Sequence, residues 1–349
     1  MTAELRVDLD AFAANLGAIR ARVAPAQHML VVKDDAYGHG LEEVVARAWA
    51  EGVRWFGAFD VRTGRVVRAE LGPDPRVFVW IVATAGEAQQ AVDADLDVGV
   101  GDAALLEDLG AAGGRARVHL KIDTGLHRNG VRPEEWPAFV ARATELEQTG
   151  AIEVVGIWSH IAEASDAEDD AARAAFETAC NQARSAGLRP SLRHLAASAA
   201  GFARAEFRYD LVRVGAFAYG IRPAGGPGEA ELGIRRISTL AARVTRVADG
   251  TATMDLGSLD GLPSTLAGRL QVETPAGPRL LTAIRGGESD VDAWPGAGVG
   301  DEVLIFGARA PFSATDAAES IGTIGEEIAV RVAPTVPRVL GGGPATRIR

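Results

Sequence analysis

Short apolar runs, rich in valine, isoleucine and leucine, alternate along the chain with longer segments of helical spacing. Residues 41–51, 84–92, 133–147 and 167–186 are examples of such segments, with apolar side chains three and four positions apart. Eight apolar runs are predicted to be buried strands, at residues 29–33, 55–59, 77–81, 97–100, 118–122, 154–158, 192–195 and 211–214. Eight alternations of strand and helix predict an α/β fold, a parallel (β/α)8 barrel of the TIM type.

The pattern changes after about residue 225, where the glycine- and proline-rich stretch PAGGPGEAELG interrupts it. Beyond this break, STLAARVTRV, RLQVETP, RLLTAIR, DEVLIFG and EIAVRVA alternate in the manner of strands joined by turns. We therefore predict a barrel over residues 9–224 and a mainly β C-terminal domain over residues 225–349, with residues 1–8 pairing to the second domain. The final stretch, GGGPATRIR, is predicted to be loosely attached.

Composition narrows the class of protein. No apolar run approaches the roughly 20 residues of a membrane span, and the N-terminal segment lacks the features of a secretory signal, so we expect a cytoplasmic protein without a membrane partner. The net charge of −11 argues against nucleic acid as the main partner, because it repels phosphate backbones. The single cysteine, Cys180, cannot form a metal cluster, and the acidic run EASDAEDD is predicted to open a helix, so no metal site is expected.

Lysine is almost absent from this chain. Of 36 basic residues only two are lysine, Lys33 and Lys121, and each lies at the carboxyl end of a predicted strand. Active sites of such barrels lie at the carboxyl ends of the strands. Arginine cannot replace lysine where an amine must lose its proton to form a Schiff base or a carbamate. The two lysines are therefore candidates for chemistry at the barrel mouth.

Residues that suit a phosphate group follow the last two predicted strands. Ser198 comes after the seventh strand, and Gly215 and Ala216 come after the eighth, where barrels often bind phosphate. On the same face, His160 follows the sixth strand and Arg213 closes the eighth. A lysine beside a phosphate site indicates either a pyridoxal phosphate (PLP) enzyme or a Schiff base aldolase acting on a sugar phosphate.

Four segments resemble signature segments of the alanine racemases: VVKDDAYGHG, KIDTGLHRNG, HLAASAA and RVGAFAYGIRP. The resemblance implies a PLP-dependent isomerase that forms a homodimer and acts at the α-carbon of a small amino acid. It also implies that Lys33 holds the cofactor as a Schiff base and moves the α-proton on one face. By the same resemblance, the phosphate would be bound by Tyr37, Ser198, Gly215 and Ala216. Arg213, beside His160, would contact the pyridine nitrogen, and Arg128 would contact the cofactor's phenolic oxygen. Lys121 is similar to a family lysine that can be carbamylated, and it would orient Arg128.

The C-terminal half departs from the family pattern. In alanine racemases a tyrosine from the partner's β domain acts on the other face of the cofactor, whereas residues 225–349 contain no tyrosine here. Leu262 and Leu340 stand where the family has further tyrosines, and Glu288 and Asp290, in a changed turn, bring carboxylates toward the expected pocket. Losing one of two bases should slow racemisation about a hundredfold or more. A weak or altered racemase, a one-face reaction such as decarboxylation or transamination, and an idle PLP-binding protein therefore remain open.

Overall fold

The first sheet consists of eight parallel strands in a computed structural model that describes residues 3–341. After the short strand β1 (Glu4–Asp8), these strands are β2 (Gln27–Val31), β3 (Trp55–Asp60), β4 (Arg76–Ile81), β5 (Asp97–Val100), β6 (Ala116–Lys121), β7 (Ile152–Trp158), β8 (Leu192–His194) and β9 (Leu211–Val214). Each overlaps one of the predicted apolar runs, and their ends differ by two residues or fewer. Of the predicted loose tail, all but Gly341 lies outside the described residues.

The strand order is β8-β7-β6-β5-β4-β3-β2-β9. The two outer strands are joined by backbone hydrogen bonds from Asp210 N to Arg193 O, at 3.1 Å, and from Arg213 N to Ala196 O, at 3.2 Å. The sheet thus closes on itself, and the predicted parallel barrel is confirmed. Its buried apolar cluster consists of Met29, Trp55, Phe78, Val155, Trp158, Leu192 and Leu211.

Eight helices accompany these strands in the described chain. They are α1 (Leu9–Val23), α2 (Leu41–Ala50), α3 (Val61–Leu71), α4 (Ala85–Asp93), α5 (Ala103–Ala111), α6 (Trp136–Gln148), α7 (Asp166–Ser185) and α8 (Ser198–Ala203). Asp60, Thr84, Asp102 and Ser165 each precede a helix and accept a hydrogen bond from the amide three residues on, which is the usual N-cap contact. The acidic run EASDAEDD therefore opens α7. No helix among residues 3–341 is long and apolar enough to cross a membrane.

The second sheet is mainly antiparallel and confirms the predicted β-rich domain. It contains β1 together with β10 (Ser238–Ala248), β11 (Thr251–Met254), β12 (Gln271–Thr274), β13 (Gly277–Ile284), β14 (Ser289–Asp292), β15 (Glu302–Gly307) and β16 (Arg338–Gly341). The strand order is β11-β14-β13-β12-β15-β10-β1-β16. Strand β1 pairs antiparallel with β10 and parallel with β16.

One predicted strand is wrong. Most of the run EIAVRVA lies in helix α11 (Gly325–Arg331), which follows the short helices α9 (Glu229–Leu232) and α10 (Ala314–Glu319). Acidic side chains in its first turn and Arg331 in its last turn complement the helix dipole, and Arg331 pairs with Glu327, four residues earlier, at 2.6 Å. Alternation over so few residues fits a strand as well as one helical turn, and the placement of charge decides here for the helix.

The chain divides into two compact units. Among the described residues, the barrel unit consists of Ile19–Lys33 and Ala48–Gly215, and the β unit consists of residues 3–18, Asp34–Arg47 and residues 216–341. All eight strands of the barrel sheet belong to the first unit, and all strands of the other sheet belong to the second.

Candidate active site

Lys33 lies directly after β2, where the chain enters a left-handed turn, Lys33–Gly38. Val32 still pairs with the neighbouring strand, because its N donates to Gly57 O at 2.9 Å. The four residues 34–37 then all have φ between 53° and 57°. This conformation costs about 1–2 kcal/mol per L-residue, and strain of this kind is concentrated at functional sites. The turn therefore fixes the point at which Lys33 leaves the barrel strand β2.

Arg213 projects from β9 and is buried. Its Nη1 lies 2.9 Å from His194 Nδ1, and its Nη2 lies 2.8 Å from Ser159 O, 2.9 Å from Leu195 O and 3.3 Å from His160 Nδ1. None of these acceptors is a carboxylate, and within residues 3–341 no hydrogen bond uses Nε of this guanidinium. Burial lowers the pKa of Arg213 to about 9, so it stays protonated at neutral pH with one donor edge available.

Lys121 ends β6 and is also buried. Its ammonium nitrogen lies 4.5 Å from the centre of the Trp158 ring, and the Arg213 guanidinium lies 5.2 Å from the same ring. Burial, followed by the positive charges of Arg213 and Arg128, lowers the pKa of Lys121 to about 8. About one amine in ten is then neutral at pH 7, which makes this lysine far more nucleophilic than an exposed one.

His160 lies within the range of four positive charges of other predicted site residues. Burial, and then the positive charges of Arg213, Arg128, Lys121 and Lys33, lower the pKa of His160 to about 3. The ring is therefore neutral, and its Nδ1 can accept the hydrogen bond from Arg213. The barrel unit thus brings five of the predicted site residues into one electrostatic cluster.

Ser198 and Gly215 are joined across the loops that follow β8 and β9, because Ser198 Oγ accepts from Gly215 N at 3.2 Å. Ser198 is the first residue of α8, and no side chain at the N-cap position bonds to this helix. A carboxylate takes that part, since Glu163 Oε1 accepts from Ala200 N at 2.9 Å. Burial raises the pKa of Glu163. Glu163 is the first residue of the run EASDAEDD, for which the sequence predicted only the opening of a helix.

Tyr37 and Ala216 belong to the β unit. Tyr37 is buried, and its ring centre lies 4.7 Å from that of Tyr219, which in turn lies 5.2 Å from the His39 ring. Ala216 opens the short 3-10 turn that ends at Tyr219. Burial raises the pKa of Tyr37, so its phenol stays protonated and can donate a hydrogen bond. Tyr219 was not predicted as a site residue, although it lies inside the segment RVGAFAYGIRP.

Residues of the C-terminal half, which contains no tyrosine, line an open cavity of about 390 Å³. Its lining consists of Ser258, Leu259, Gly261, Leu262, Pro263, Ser264 and Arg331. Leu259 is 79% exposed, whereas Leu262 is buried. No lining residue carries a phenol or a carboxylate, so this surface offers no obvious acid or base of its own.

The two carboxylates of the changed turn are already engaged inside the β unit. Asp290 accepts from Arg285 Nη1 and Nη2, at 2.7 and 2.8 Å, and from Thr253 Oγ1 at 2.9 Å. The hydrogen bond from Arg285 lowers the pKa of Asp290, which keeps it ionised. Glu288 lies 3.6 Å from Arg285 and 3.8 Å from Arg246. Asp290 is therefore a poor donor of protons at neutral pH.

Three buried residues of the barrel were not predicted from the sequence: Asp97, His119 and His194. They extend the contacts of Arg213, because His194 lies 2.9 Å from His119, which lies 3.4 Å from Asp97. One signal was present, since His119 is two residues before Lys121 and alternation places both side chains on the same face of β6. Asp97 in the short run DVGV and His194 in the short run LRH gave no comparable signal.

The donor set of the barrel unit fits PLP. Lys33 supplies a primary amine, the surrounding arginines and Lys121 supply positive charge, and Ser198 with Gly215 supplies a hydroxyl and an amide. The unused Nε of Arg213 suits an aromatic nitrogen with a lone pair. An anionic aldehyde with a pyridine ring would meet complementary groups at each of these points.

Comparison with known proteins gives a consistent result. The family model described as alanine racemase, N-terminal domain, matches residues 7–223. Alanine racemases of Beutenbergia cavernae and Thermobifida fusca are 36% and 34% identical to this chain, each over 97% of it and over 97% and 98% of the relative. The crystal structure of alanine racemase from D-cycloserine-producing Streptomyces lavendulae matches with a TM-score of 0.93 at 33% identity, over 99% of this chain and 98% of that one. Sequence and fold therefore agree along nearly the whole chain.

Proposed function

We propose, because the chain belongs to the alanine racemase family, that it is a PLP-dependent amino-acid racemase acting on alanine or another small amino acid. The observation that supports this most is the cluster of the barrel unit in which the charges of both lysines, of Arg213 and of Arg128 all act on His160. The reaction is inferred from the names of the relatives, and the barrel unit contains side chains suited to that reaction.

Bound PLP would supply an electron sink that acidifies the α-proton of an amino acid. Lys33 would hold the cofactor covalently and then move the α-proton on one face. Arg213 would donate a hydrogen bond through Nε to the pyridine nitrogen and, as a cation, keep that nitrogen unprotonated. His160 accepts from the same guanidinium and limits its rotation.

The remaining predicted residues would bind the charged groups of the cofactor. Ser198 Oγ and the amide of Gly215 would bind phosphate, together with Tyr37 and the amide of Ala216. Arg128, which is exposed, would contact the phenolic oxygen. Lys121, partly neutral because of its lowered pKa, could take up carbon dioxide as a carbamate that orients Arg128.

A reaction confined to one face is the second candidate. It is favoured by one observation, the absence of tyrosine from residues 225–349. With Lys33 as the one identified base, decarboxylation or transamination would need no proton donor on the opposite face. A protein that binds PLP without turnover is the limiting case.

The test is incubation of PLP-loaded protein with L-alanine in deuterium oxide, followed by chiral chromatography and mass spectrometry. We expect D-alanine to accumulate, with deuterium at the α-carbon of both enantiomers, and Lys33→Ala to abolish both signals. Release of carbon dioxide, or transfer of the amino group, would replace racemisation with a one-face reaction. Bound PLP without turnover of any small amino acid would contradict an enzymatic role.

We also infer a homodimer, from the resemblance to the family. Sedimentation equilibrium should give twice the chain mass of 36.4 kDa. A species of single-chain mass at micromolar concentration would contradict the dimer.

A further inference from the structure

A column of polar side chains runs through the interior of the barrel unit behind Arg213. Asp97 is the first residue of β5, His119 lies in β6, and His194 ends β8. Arg213 Nη1 lies 2.9 Å from His194 Nδ1, His194 Nε2 lies 2.9 Å from His119 Nδ1, and His119 Nε2 lies 3.4 Å from Asp97 Oδ1. Asp97, His119 and His194 are called the polar column below. All three are almost completely buried.

The chemistry of the four groups fixes the direction of every hydrogen bond. Arginine only donates, so His194 Nδ1 must be the acceptor and the proton of His194 must sit on Nε2. His119 then accepts at Nδ1 and carries its own proton on Nε2, which points at Asp97. Burial lowers the pKa of both histidines, so each ring is neutral and carries one proton. The column therefore has a single arrangement in which no donor faces a donor.

Asp97 closes the column with a charge. Burial alone would raise its pKa, but the hydrogen bonds from His119 and Arg76 outweigh burial and lower the pKa of Asp97 to about 2. Arg76 Nε donates to Oδ2 at 2.9 Å, and Arg117 Nη2 donates to the same oxygen at 3.4 Å. The ionised Asp97 carboxylate can therefore accept the hydrogen bond that His119 Nε2 donates.

The surrounding side chains leave the column no room to rearrange. A Cβ at Gly156 would lie 2.4 Å from His119 Nδ1, and a Cβ at Gly99 would lie 2.8 Å from the Trp158 ring. Trp158 donates from Nε1 to His119 O at 3.1 Å, and its ring lies almost parallel to that of His194. Two glycines and one tryptophan thus hold both imidazoles in place, which indicates a rigid support rather than a flexible one.

We propose that Asp97, His119 and His194 are positioning residues that orient the Arg213 guanidinium toward the pyridine nitrogen of the cofactor. The proposal rests on the proposed function, in which Arg213 contacts that nitrogen. Asp97 acts over three hydrogen bonds, because its carboxylate accepts the proton that this order leaves on His119 Nε2. A change at the amino end of the barrel is therefore transmitted to the cofactor-facing edge of Arg213.

The test uses protein loaded with PLP that is labelled with nitrogen-15 in the ring. In the parent protein, nitrogen NMR should show an unprotonated, hydrogen-bonded pyridine nitrogen. In Asp97→Asn, this resonance should shift, since an amide presents a donor to Arg76 or to His119 and disturbs the proton order. We expect kcat/KM for alanine to fall on the order of 10- to 100-fold, with KM changed less than about threefold.

Asp95→Asn is the matched control. Asp95 pairs with Arg117, as Asp97 does, but makes no contact with His119. It should leave both the nitrogen shift and kcat/KM unchanged. An Asp97→Asn protein with the parent's nitrogen shift and rate would overturn the proposal.

His194→Asn is the second variant, in case Asp97→Asn does not fold. The amide oxygen that this substitution introduces can still accept from Arg213, but the new side chain is too short to reach His119. The contact with Arg213 is therefore kept, and the contact with His119 is lost. A nitrogen shift displaced from the parent's supports the column, and the parent's shift shows that a local acceptor suffices and overturns it. If the parent itself does not bind PLP, the proposed function fails instead, so the two failures are distinguishable.

Discussion

Cations are paired differently around Arg213 in the barrel unit and around Arg285 in the β unit. In the barrel unit, Arg213 and Lys121 are buried, share one aromatic ring and, within residues 3–341, have no carboxylate among their hydrogen-bond partners. In the β unit, cations such as Arg285 form close pairs with carboxylates at partly exposed positions. Charge that is buried without a direct counter-ion is costly and persists where a ligand or a reaction needs it. The cations proposed to contact the cofactor therefore lie in the barrel unit, whereas residues 225–349, which depart from the family pattern by having no tyrosine, belong to the C-terminal half.

Removal of the buried guanidinium should have the largest effect. Arg213→Gln takes away the positive charge and the two guanidinium nitrogens that bond His194 and His160, so we expect kcat/KM for alanine to fall about a thousandfold. Arg285→Gln is the matched change in the β unit and should cost less than about twofold. Steady-state kinetics on both variants decides the comparison, and similar losses in the two would contradict it.

The barrel interior should also be the less tolerant of added volume. Gly156→Ala puts a methyl group against His119 and should destabilise the protein by about 1–3 kcal/mol. Gly17→Ala, in α1, meets nothing within 4 Å and should be neutral or stabilise by about 0.5–1 kcal/mol. Urea unfolding followed by circular dichroism measures both changes. Equal stability of the two variants would show that the column is loosely packed.

The lowered pKa of Lys121 predicts a pH dependence. Burial lowers the pKa of Lys121 to about 8, so its neutral fraction, and with it the uptake of carbon dioxide, should rise between pH 7 and pH 9. Carbon-13 NMR in labelled bicarbonate should show a carbamate signal that grows over this range and is lost in Lys121→Arg. A signal that is independent of pH would place the pKa elsewhere.

Only a small effect is expected for the changed turn of the β unit. Asp290 is held by Arg285 and Thr253, so Asp290→Asn should change the racemisation rate less than about threefold. Comparison of pH–rate profiles for the parent and the variant tests this. Loss of one limb of the profile would identify Asp290 as the second base after all.

Much of this architecture follows from local pattern. The β strands of the barrel are buried on both faces, so their apolar runs stand out and place Lys33, Lys121 and Arg213 at strand ends. The polar column could not be predicted in the same way, because its contacts join strands that are 22 and 75 residues apart in the chain. The helix α11 was mistaken for a strand because seven residues are too few for the two periodicities to separate.

Lys33 is the residue on which the proposed chemistry depends, and borohydride reduction shows whether it carries the cofactor. PLP-loaded protein should be reduced, digested and mapped by mass spectrometry, since the chain offers only one other lysine side chain, Lys121, as a rival. We predict phosphopyridoxyl-lysine at position 33, none at position 121, and none in Lys33→Ala. Modification at Lys121 alone, or a protein that never takes up PLP, would contradict this assignment.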